Sequence, residues 1–297
     1  MMVRITEERN PNSVGIDGKP VEEILRIINV EDQKVPTAVR AQIPVIAKAV
    51  DVVAATISKG GRVFFAGAGS SGRIGVAEAV EIPPTFGLPP EVVQGVMAGG
   101  RDAVVSSFEV SEDDEPAGVR MLEERGFDGD DLLVALSASG RTPYALGALK
   151  KAKDLGARTV SLTCNPEAPI NSLADIPIVV NVGPEVVAGS TRMKAGTAQK
   201  LVLNMLTTAA MIRLGRVYDG LMIGVQPTNE KLRERATRII ETIAEVSTKA
   251  AAQALEKAQG DVRVAIVVAK TEESPEESKR MLEQAGGSLR RALKDRG

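Results

Sequence analysis

The sequence predicts an α/β fold in which a parallel sheet lies between layers of helices. Two observations favour this class: short apolar segments alternate with helix-length amphipathic segments, and glycines bound most of the apolar segments. Parallel strands need crossover connections, and their helices cover both faces of the sheet. The alternation stops after Gly224, so we expect a small helical appendage at the C-terminal end.

Two helical patterns precede the sheet. The first begins near Pro20, and the second runs from about Pro36 to Gly60 with a kink or restart at Pro44. The candidate strands are Arg62–Ala66, Val92–Ala98, Asp131–Leu136, Thr159–Cys164 and Ile176–Val182. The helices among and after them are expected at 72–81, 103–125, 143–155 and 195–215. We therefore divide the chain into an N-terminal extension with helices (1–60), a sheet domain (61–225) and a C-terminal helical subdomain (226–297).

The composition excludes several kinds of site. The chain has no histidine, which rules out Ser-His-Asp and Cys-His catalysis and argues against a zinc or iron site. The single cysteine, Cys164, cannot form a disulfide within its own chain. Proton transfer must therefore depend on Glu, Asp, Lys, Tyr or that cysteine.

Charge and hydropathy exclude two kinds of partner. The formal net charge of −2 is spread along the chain, so we expect no nucleic-acid partner. The first residues, MMVRITEERN, lack the apolar stretch of a signal peptide, and no apolar run approaches the ~20 residues that span a bilayer. We expect a cytoplasmic protein without a membrane contact.

Glycine- and serine-rich loops follow the first and third predicted strands, at Gly67–Arg73 and Ser137–Pro143. Ligands of open α/β sheets bind beyond the carboxyl ends of the strands, and helix N-termini attract anions. Serine and threonine also cap helices, but one cap needs one such residue, whereas the second loop contains Ser137, Ser139 and Thr142. We interpret the two loops as one phosphate-monoester site, with Ser71 and Ser139 at the same end of the sheet.

The first loop also matches the G-x-G-x-x-G pattern of dinucleotide-binding folds. Such a site needs an acidic residue at the end of the second strand, which contacts the ribose. Here that strand ends Met97-Ala98-Gly99-Gly100, without an acid. The phosphate-monoester interpretation is therefore favoured over a dinucleotide site.

Two carboxylates could act as acid and base. Glu81 ends the helix that follows the first loop, where it could be a general acid or a surface glutamate. Glu112 stands among like charges, which suits a base, but Ser111 resembles an N-cap and acids are common in a first helical turn. The residues alone favour a structural role for Glu112.

A third hydroxyl-rich segment, Gly189–Thr197, leads into the long apolar helix expected at 195–215. It contains the cations Arg192 and Lys194 at a helix start. An anion contact and ordinary helix capping both remain open for this segment.

Longer stretches of the sequence resemble one family. GAGSSGR, EIPPTFG, SASGRTPY and GSTRMKAGTAQKLVLNML are similar to segments of the N-acetylmuramic acid 6-phosphate etherases, which are sugar isomerase (SIS) domain proteins related to the glucokinase regulatory protein. The likeness extends from ERNPNS to EQAGGSLRRAL and covers essentially the whole chain. It implies a SIS-type sheet, with 61–225 as the sugar-phosphate-binding domain, and a homodimer. It also implies a carbon–oxygen lyase without metal or organic cofactor that cleaves the D-lactyl ether by elimination and hydration, giving N-acetylglucosamine 6-phosphate and D-lactate.

The resemblance also implies roles for individual residues. Glu81, in EIPP, and Glu112, in SEDD, match the two catalytic glutamates of the family, although Val80 and Ile82 stand where the family usually has serine and cysteine. By similarity to SIS domains, the substrate phosphate would be bound by Ser70, Ser71, Ser137, Ser139, Gly140 and Thr142. Arg192 and Lys194 are further candidate substrate contacts.

Two other functions remain open. An aldose–ketose isomerase needs the same base at C2 but returns the proton to C1. A non-catalytic sugar-phosphate sensor needs the serine loops but neither glutamate. The presence of both Glu81 and Glu112 favours an enzyme.

Overall fold

The computed structural model describes residues 5–106 and 109–294. The chain divides into two compact units, one formed by Met1–Val80 and Glu91–Thr207 and the other by Glu81–Pro90 and Thr208–Gly297. The helices are α1 Val21–Asp32, α2 Lys34–Ala41, α3 Ile43–Ser58, α4 Gly69–Val80, α5 Ile82–Phe86, α6 Asp102–Val105, α7 Glu115–Glu124, α8 Pro143–Asp154, α9 Pro169–Leu173, α10 Lys194–Arg213, α11 Glu230–Ala244, α12 Thr248–Lys257, α13 Val262–Thr271, α14 Pro275–Gln284 and α15 Leu289–Lys294. The strands are β1 Val63–Gly67, β2 Val93–Met97, β3 Leu132–Leu136, β4 Arg158–Thr163, β5 Ile176–Val179, β6 Val217–Tyr218 and β7 Leu221–Met222.

The first unit contains a five-stranded sheet in the order β2-β1-β3-β4-β5. All neighbouring strands are parallel, and the five predicted strands are confirmed. Every residue of β1 (VFFAG) and β3 (LLVAL) is buried. These runs are apolar throughout because parallel strands covered on both faces have no side that meets water.

Helices lie on both faces of this sheet, as the sequence predicts. On one face, a buried cluster joins alternate strand residues to α8; it contains Phe64, Ala66, Leu133, Ala135, Ala145, Ala148 and Leu149. On the opposite face α4 packs so closely that a Cβ atom on Gly75 would lie 2.9 Å from Leu136 and 3.0 Å from Phe65. Helix α3 packs against β1, β3 and β5 through its apolar side.

The connections place a topological switch point beside β1. From β1 the chain passes to β2 on one side and then returns to β3 on the other. In open parallel sheets this reversal leaves a crevice at the carboxyl ends of the two diverging strands, where ligands bind. The serine-rich loops after β1 and β3 therefore flank the expected ligand position.

The helix predicted over 103–125 is wrong. The structure has α6, then a 3-10 helix at Glu109–Asp113, then α7; residues 107 and 108 lie outside the described part of the chain. Ser106 is extended, with φ −128° and ψ 158°, and ends α6. Asp114, not Ser111, caps α7 by accepting a bond from the Ala117 N–H, and Pro116 follows in the first turn.

The second unit is mainly helical, with a short β6–β7 hairpin. Its core includes Ile240, Ala265, Ile266, Leu282 and Leu289. The unit begins at Thr208, earlier than the predicted boundary at 226, and it also includes residues 81–90. Segment 81–90 belongs to it because Phe86 and Gly87 pack backbone to backbone against Gly224, leaving no space for a Cβ atom there.

No single helix in the described part of the chain has both the length and the apolar character needed to cross a bilayer. The segments Val21–Ala41 and Ile43–Ser58, which meet at a 64° bend, reach those limits only when taken together.

Candidate active site

The two serine-rich loops leave the sheet at the same edge. Strands β1 and β3 are paired in parallel with Gly67 opposite Leu136, so the loops that follow them start side by side. Ser71 and Ser139 therefore lie at one end of the sheet, as expected. Ser71 is buried in the first turn of α4, and Ser70 beside it is half-buried.

Three hydroxyl groups converge in the loop after β3. The Oγ atom of Ser137 lies 2.9 Å from Oγ1 of Thr142 and 3.5 Å from Oγ of Ser139. The N–H of Gly140 donates to Ser137 Oγ (2.9 Å), and the N–H of Arg141 donates to Ser139 Oγ (3.3 Å). The φ of +67° at Gly140 favours glycine at this turn.

Helix capping does not explain these hydroxyl groups. Thr142 occupies the N-cap position of α8, yet its side chain makes no capping hydrogen bond. Its hydroxyl is instead paired with Ser137. The loop thus keeps hydroxyl donors together at the start of a 12-residue helix, an arrangement that suits a phosphate group.

The loop after β1 brings a second helix start to the same edge. A Cβ atom on Gly72 would lie 2.6 Å from the Cβ of Met97 and 2.7 Å from the carbonyl oxygen of Gly67, so α4 begins directly against the strand ends. Only glycine permits this approach. The N-terminal N–H groups of α4 add further positive potential at the crevice.

The carboxylate of Glu112 lies over the first loop. Its Oε1 atom is 2.6 Å from the position that a Cβ atom on Gly69 would take, and Gly69 has a φ of +51°. The interpretation of Glu112 as a first-turn helical acid is wrong, because that position in α7 belongs to Glu115. Glu112 is half-buried in the 3-10 helix before α7, beside the residues that precede Ser70 and Ser71.

Glu81 lies at the other end of α4. The helix ends at Val80, one residue before the predicted end at Glu81. Glu81 is exposed in the N-cap position of α5 and is followed by the buried Ile82. Three residues earlier, the carboxylate of Glu78 is buried and accepts hydrogen bonds from Lys200 and from the hydroxyl of Thr207. Glu78 therefore fixes α4 to α10 within the first unit.

The two cations of the 189–197 segment differ. Arg192 is exposed and remains a candidate substrate contact. Lys194 is buried, and its Nζ atom lies 2.6 Å from Oε2 of Glu31, which is equally buried. The prediction of a substrate contact from Lys194 is therefore corrected: its charge is neutralised inside the protein. Glu185 accepts from the N–H groups of Lys194 and Ala195 and so caps α10.

The pKa of Glu31 reflects this pairing. Burial alone raises the pKa, but hydrogen bonds from Lys194, Lys34 and Asn12 outweigh burial and lower it from 4.5 to about 2. The folded state therefore holds Glu31 ionised more strongly than the unfolded chain does. The resulting stabilisation is complete above pH 4.5 and is lost as the pH falls through about 2.

Replacing Glu31 by glutamine should destabilise the protein by roughly 3–5 kcal/mol, because it leaves the buried Lys194 cation unpaired. Urea unfolding at pH 7 measures this loss. In acid, the free energy of unfolding of the wild type should fall more steeply than that of Glu31→Gln.

The matched control is Glu23→Gln on the same helix, where the exposed ion pair with Lys19 is worth less than about 1 kcal/mol. Equal losses of unfolding free energy in the two variants would show that the buried ion pair stabilises the protein no more than the exposed one.

Arg141 is a candidate site residue that the sequence analysis missed. Its Nε atom is buried and has no hydrogen-bond partner among the described residues. An unpaired buried donor is costly, and a bound anion would satisfy it. The sequence does contain a signal for this residue, because Arg141 stands between Gly140 and Thr142 inside the hydroxyl-rich loop.

Two SIS domain family models match, over residues 32–164 and 123–209. The N-acetylmuramic acid 6-phosphate etherase of Shouchella clausii is 49% identical over 288 residues, which is 97% of each chain. The chain belongs to the N-acetylmuramic acid 6-phosphate etherase family. The family member from Mesorhizobium japonicum is 48% identical and matches 98% of this chain and 95% of its own.

Solved structures of other proteins are similar to this etherase-family chain in their fold alone. A phosphoheptose isomerase from Francisella tularensis aligns with a TM-score of 0.50 at 20% identity, covering 63% of this chain and 98% of that one.

Within residues 5–106 and 109–294, no group of three or more acidic or cysteine side chains is arranged to hold a metal ion.

Proposed function

We propose that the protein is an N-acetylmuramic acid 6-phosphate etherase, a carbon–oxygen lyase that releases D-lactate and leaves N-acetylglucosamine 6-phosphate. The observation that supports this most is the position of Glu112, whose carboxylate lies over Gly69 in the loop that leads into Ser70 and Ser71. A base beside a phosphate-binding loop can reach the carbons of a sugar held by its phosphate. The names of relatives at 48–49% identity support the same reaction.

The phosphate is bound at the switch point of the sheet. Hydroxyl groups from both loops donate to it, together with N–H groups at the starts of α4 and α8; the residues are Ser70, Ser71, Ser137, Ser139, Gly140 and Thr142. Arg141 adds a charged donor through its unpaired Nε, and Arg192 is a further candidate contact. Binding of this remote group orients the reacting carbons.

The reaction proceeds by elimination and hydration. In the open-chain aldehyde the carbonyl acidifies the C2 hydrogen, and Glu112 removes it as general base. Glu81 protonates the lactate oxygen as the C3–O bond breaks, which leaves an unsaturated aldehyde. Glu81, now ionised, then takes a proton from the water that adds at C3, and C2 is protonated again.

The proposed enzyme acts as a homodimer in which Glu81 reaches the site of the partner copy. Val80, at the end of α4, lies nine residues beyond Ser71, which corresponds to about 13 Å along a helix. Glu112 lies beside the phosphate loop of its own chain, whereas Glu81 is separated from that loop by the length of α4. A second copy supplies the acid more readily, because Glu81 and its neighbour Val80 are exposed.

We also assign the enzyme to the cytoplasm, because a phosphorylated sugar does not cross a lipid bilayer unaided. Incubation with N-acetylmuramic acid 6-phosphate should release D-lactate and N-acetylglucosamine 6-phosphate in equal amounts. Interconversion of an aldose and a ketose phosphate without lactate release would support the isomerase instead. Binding of the substrate without turnover would support a sensor.

Replacing Ser139 by alanine should raise KM more than it lowers kcat, since the hydroxyl is proposed to bind a group that does not react. A hydrogen bond to a charged group is worth about 1.5–3 kcal/mol, so kcat/KM should fall roughly 10–150-fold. Steady-state kinetics measure this change. Ser172→Ala is the matched control, because Ser172 is exposed on α9 and its hydroxyl donates to the carbonyl oxygen of Pro169. An unchanged KM in Ser139→Ala would remove this loop from the phosphate site.

A further inference from the structure

A polar cleft in the second unit is not used by the proposed reaction. It has a volume of about 450 Å³ and is formed by the segment after β7 and the start of α13. Its lining includes Arg216, Gly224, Thr228, Gln259, Asp261 and Arg263. This volume lies in the usual range for small-molecule sites, roughly 300–1,000 Å³.

Arg216 places a half-buried positive charge in the cleft. Its guanidinium is half-buried, and its hydrogen bond goes to the neutral carbonyl oxygen of Phe86, at 3.4 Å. Among the described residues, no carboxylate forms an ion pair with it. Burial lowers the pKa of Arg216, and the neighbouring positive charge of Arg263 lowers it further, whereas the negative charge of Asp261 raises it by less than these two lower it.

The ion-pair partner of Arg263 is a carboxylate that also caps a helix. Its guanidinium lies 3.7 Å from Oδ2 of Asp261. The other oxygen of that carboxylate already accepts from the N–H groups of Arg263 and Val264 as the N-cap of α13. Two guanidinium groups therefore share one carboxylate that is also engaged in capping, which leaves the described lining with one excess positive charge.

We propose that this cleft binds a small oxyanion, a phosphate ester or a carboxylate, at Arg216 and Arg263. Guanidinium groups match both anions through paired N–H donors, and an anion would replace the hydration that Arg216 loses on burial. Thr228 and Gln259 line the same cleft and offer neutral donors beside the charges. The site consists of residues of the second unit alone and is thus independent of the serine loops.

The test uses the full chain with Ser137→Ala and Ser139→Ala, which weaken phosphate binding at the serine loops, so that the response that depends on Arg263 can be assigned to the cleft. Thermal unfolding is followed while inorganic phosphate or D-lactate is added at constant ionic strength. We expect a saturable rise in Tm of roughly 2–4 °C with at least one anion. A rise in Tm with phosphate alone would identify the ligand as a phosphate ester, and a rise with D-lactate alone would identify it as a carboxylate. No response to either anion overturns the proposal.

Adding Arg263→Gln to that variant should abolish the rise. Arg238→Gln is the matched control and should keep it, because Arg238 is an exposed arginine of α11 outside the cleft. Should Arg263→Gln fail to fold, Arg263→Lys retains the charge without the paired donors and should weaken anion binding at least fivefold. An unchanged anion response in whichever of the two variants folds would overturn the proposal.

Discussion

Replacing Glu112 by glutamine is expected to abolish both D-lactate release and the exchange of the substrate's C2 hydrogen with solvent deuterium. Glutamine has the same shape, so it fits the same space over Gly69, but it cannot accept a proton. General acid–base catalysis contributes roughly 10²–10⁴-fold, so the loss of turnover should be large. Both events fail together because removal of the C2 proton precedes cleavage of the ether. A coupled lactate assay and proton NMR in deuterium oxide measure the two events.

The matched control for this variant is Glu115→Gln, three residues further along. Glu115 is a first-turn acid of α7 that pairs with Lys150 at the surface, so its loss should leave both activities near the wild-type level. C2 exchange that persists in Glu112→Gln would show that another group removes the proton. Turnover lost equally in the two variants would indicate a structural defect of the segment.

The sheet could be predicted because its signals are local. VFFAG and LLVAL are short apolar runs bounded by turn residues, and each strand is buried on both faces. The serine loops were found for the same reason, since their position depends only on where each strand ends. The resemblance to the etherases then indicated the reaction.

The surroundings of Glu112 could not be read from the sequence. Residues 103–125 have a helical composition, so local rules predict one helix, with Ser111 as the one residue that resembles a cap. The chain instead breaks before α7, and the Glu112 carboxylate meets Gly69, a residue more than forty positions earlier. A tertiary contact at that separation overrides local propensity and leaves no local pattern.

Lys194 was misassigned for a related reason. A lysine beside Arg192, near a helix start, fits an anion contact, and lysine is rarely fully buried. Its partner Glu31 is 163 positions earlier in the chain, in α1. Pairing across such a distance is visible only in the folded structure.

Replacing Glu81 by glutamine should stop D-lactate release while C2 exchange continues. In the proposed order of steps Glu112 still removes the C2 proton, but no acid protonates the leaving oxygen, so the carbanion returns to substrate. The loss in turnover should again be roughly 10²–10⁴-fold. Because Glu81 is exposed, the substitution should change stability by no more than about 0.5 kcal/mol. Exchange that disappears in Glu81→Gln but survives in Glu112→Gln would reverse the two roles.

Mixed dimers of the two inactive variants test whether one active site contains residues from both copies of the chain. In a dimer of one Glu81→Gln chain and one Glu112→Gln chain, a shared arrangement leaves one site with both glutamates intact and the other with neither. Random assortment should then restore roughly a quarter of the wild-type activity, since half of the dimers are mixed and each has one working site. If both glutamates act within one chain, every site lacks one of them and no activity returns. Co-expression with two affinity tags isolates the mixed dimer, whose lactate release should be near half that of the wild type. A single-chain mass in light scattering would exclude the shared site altogether.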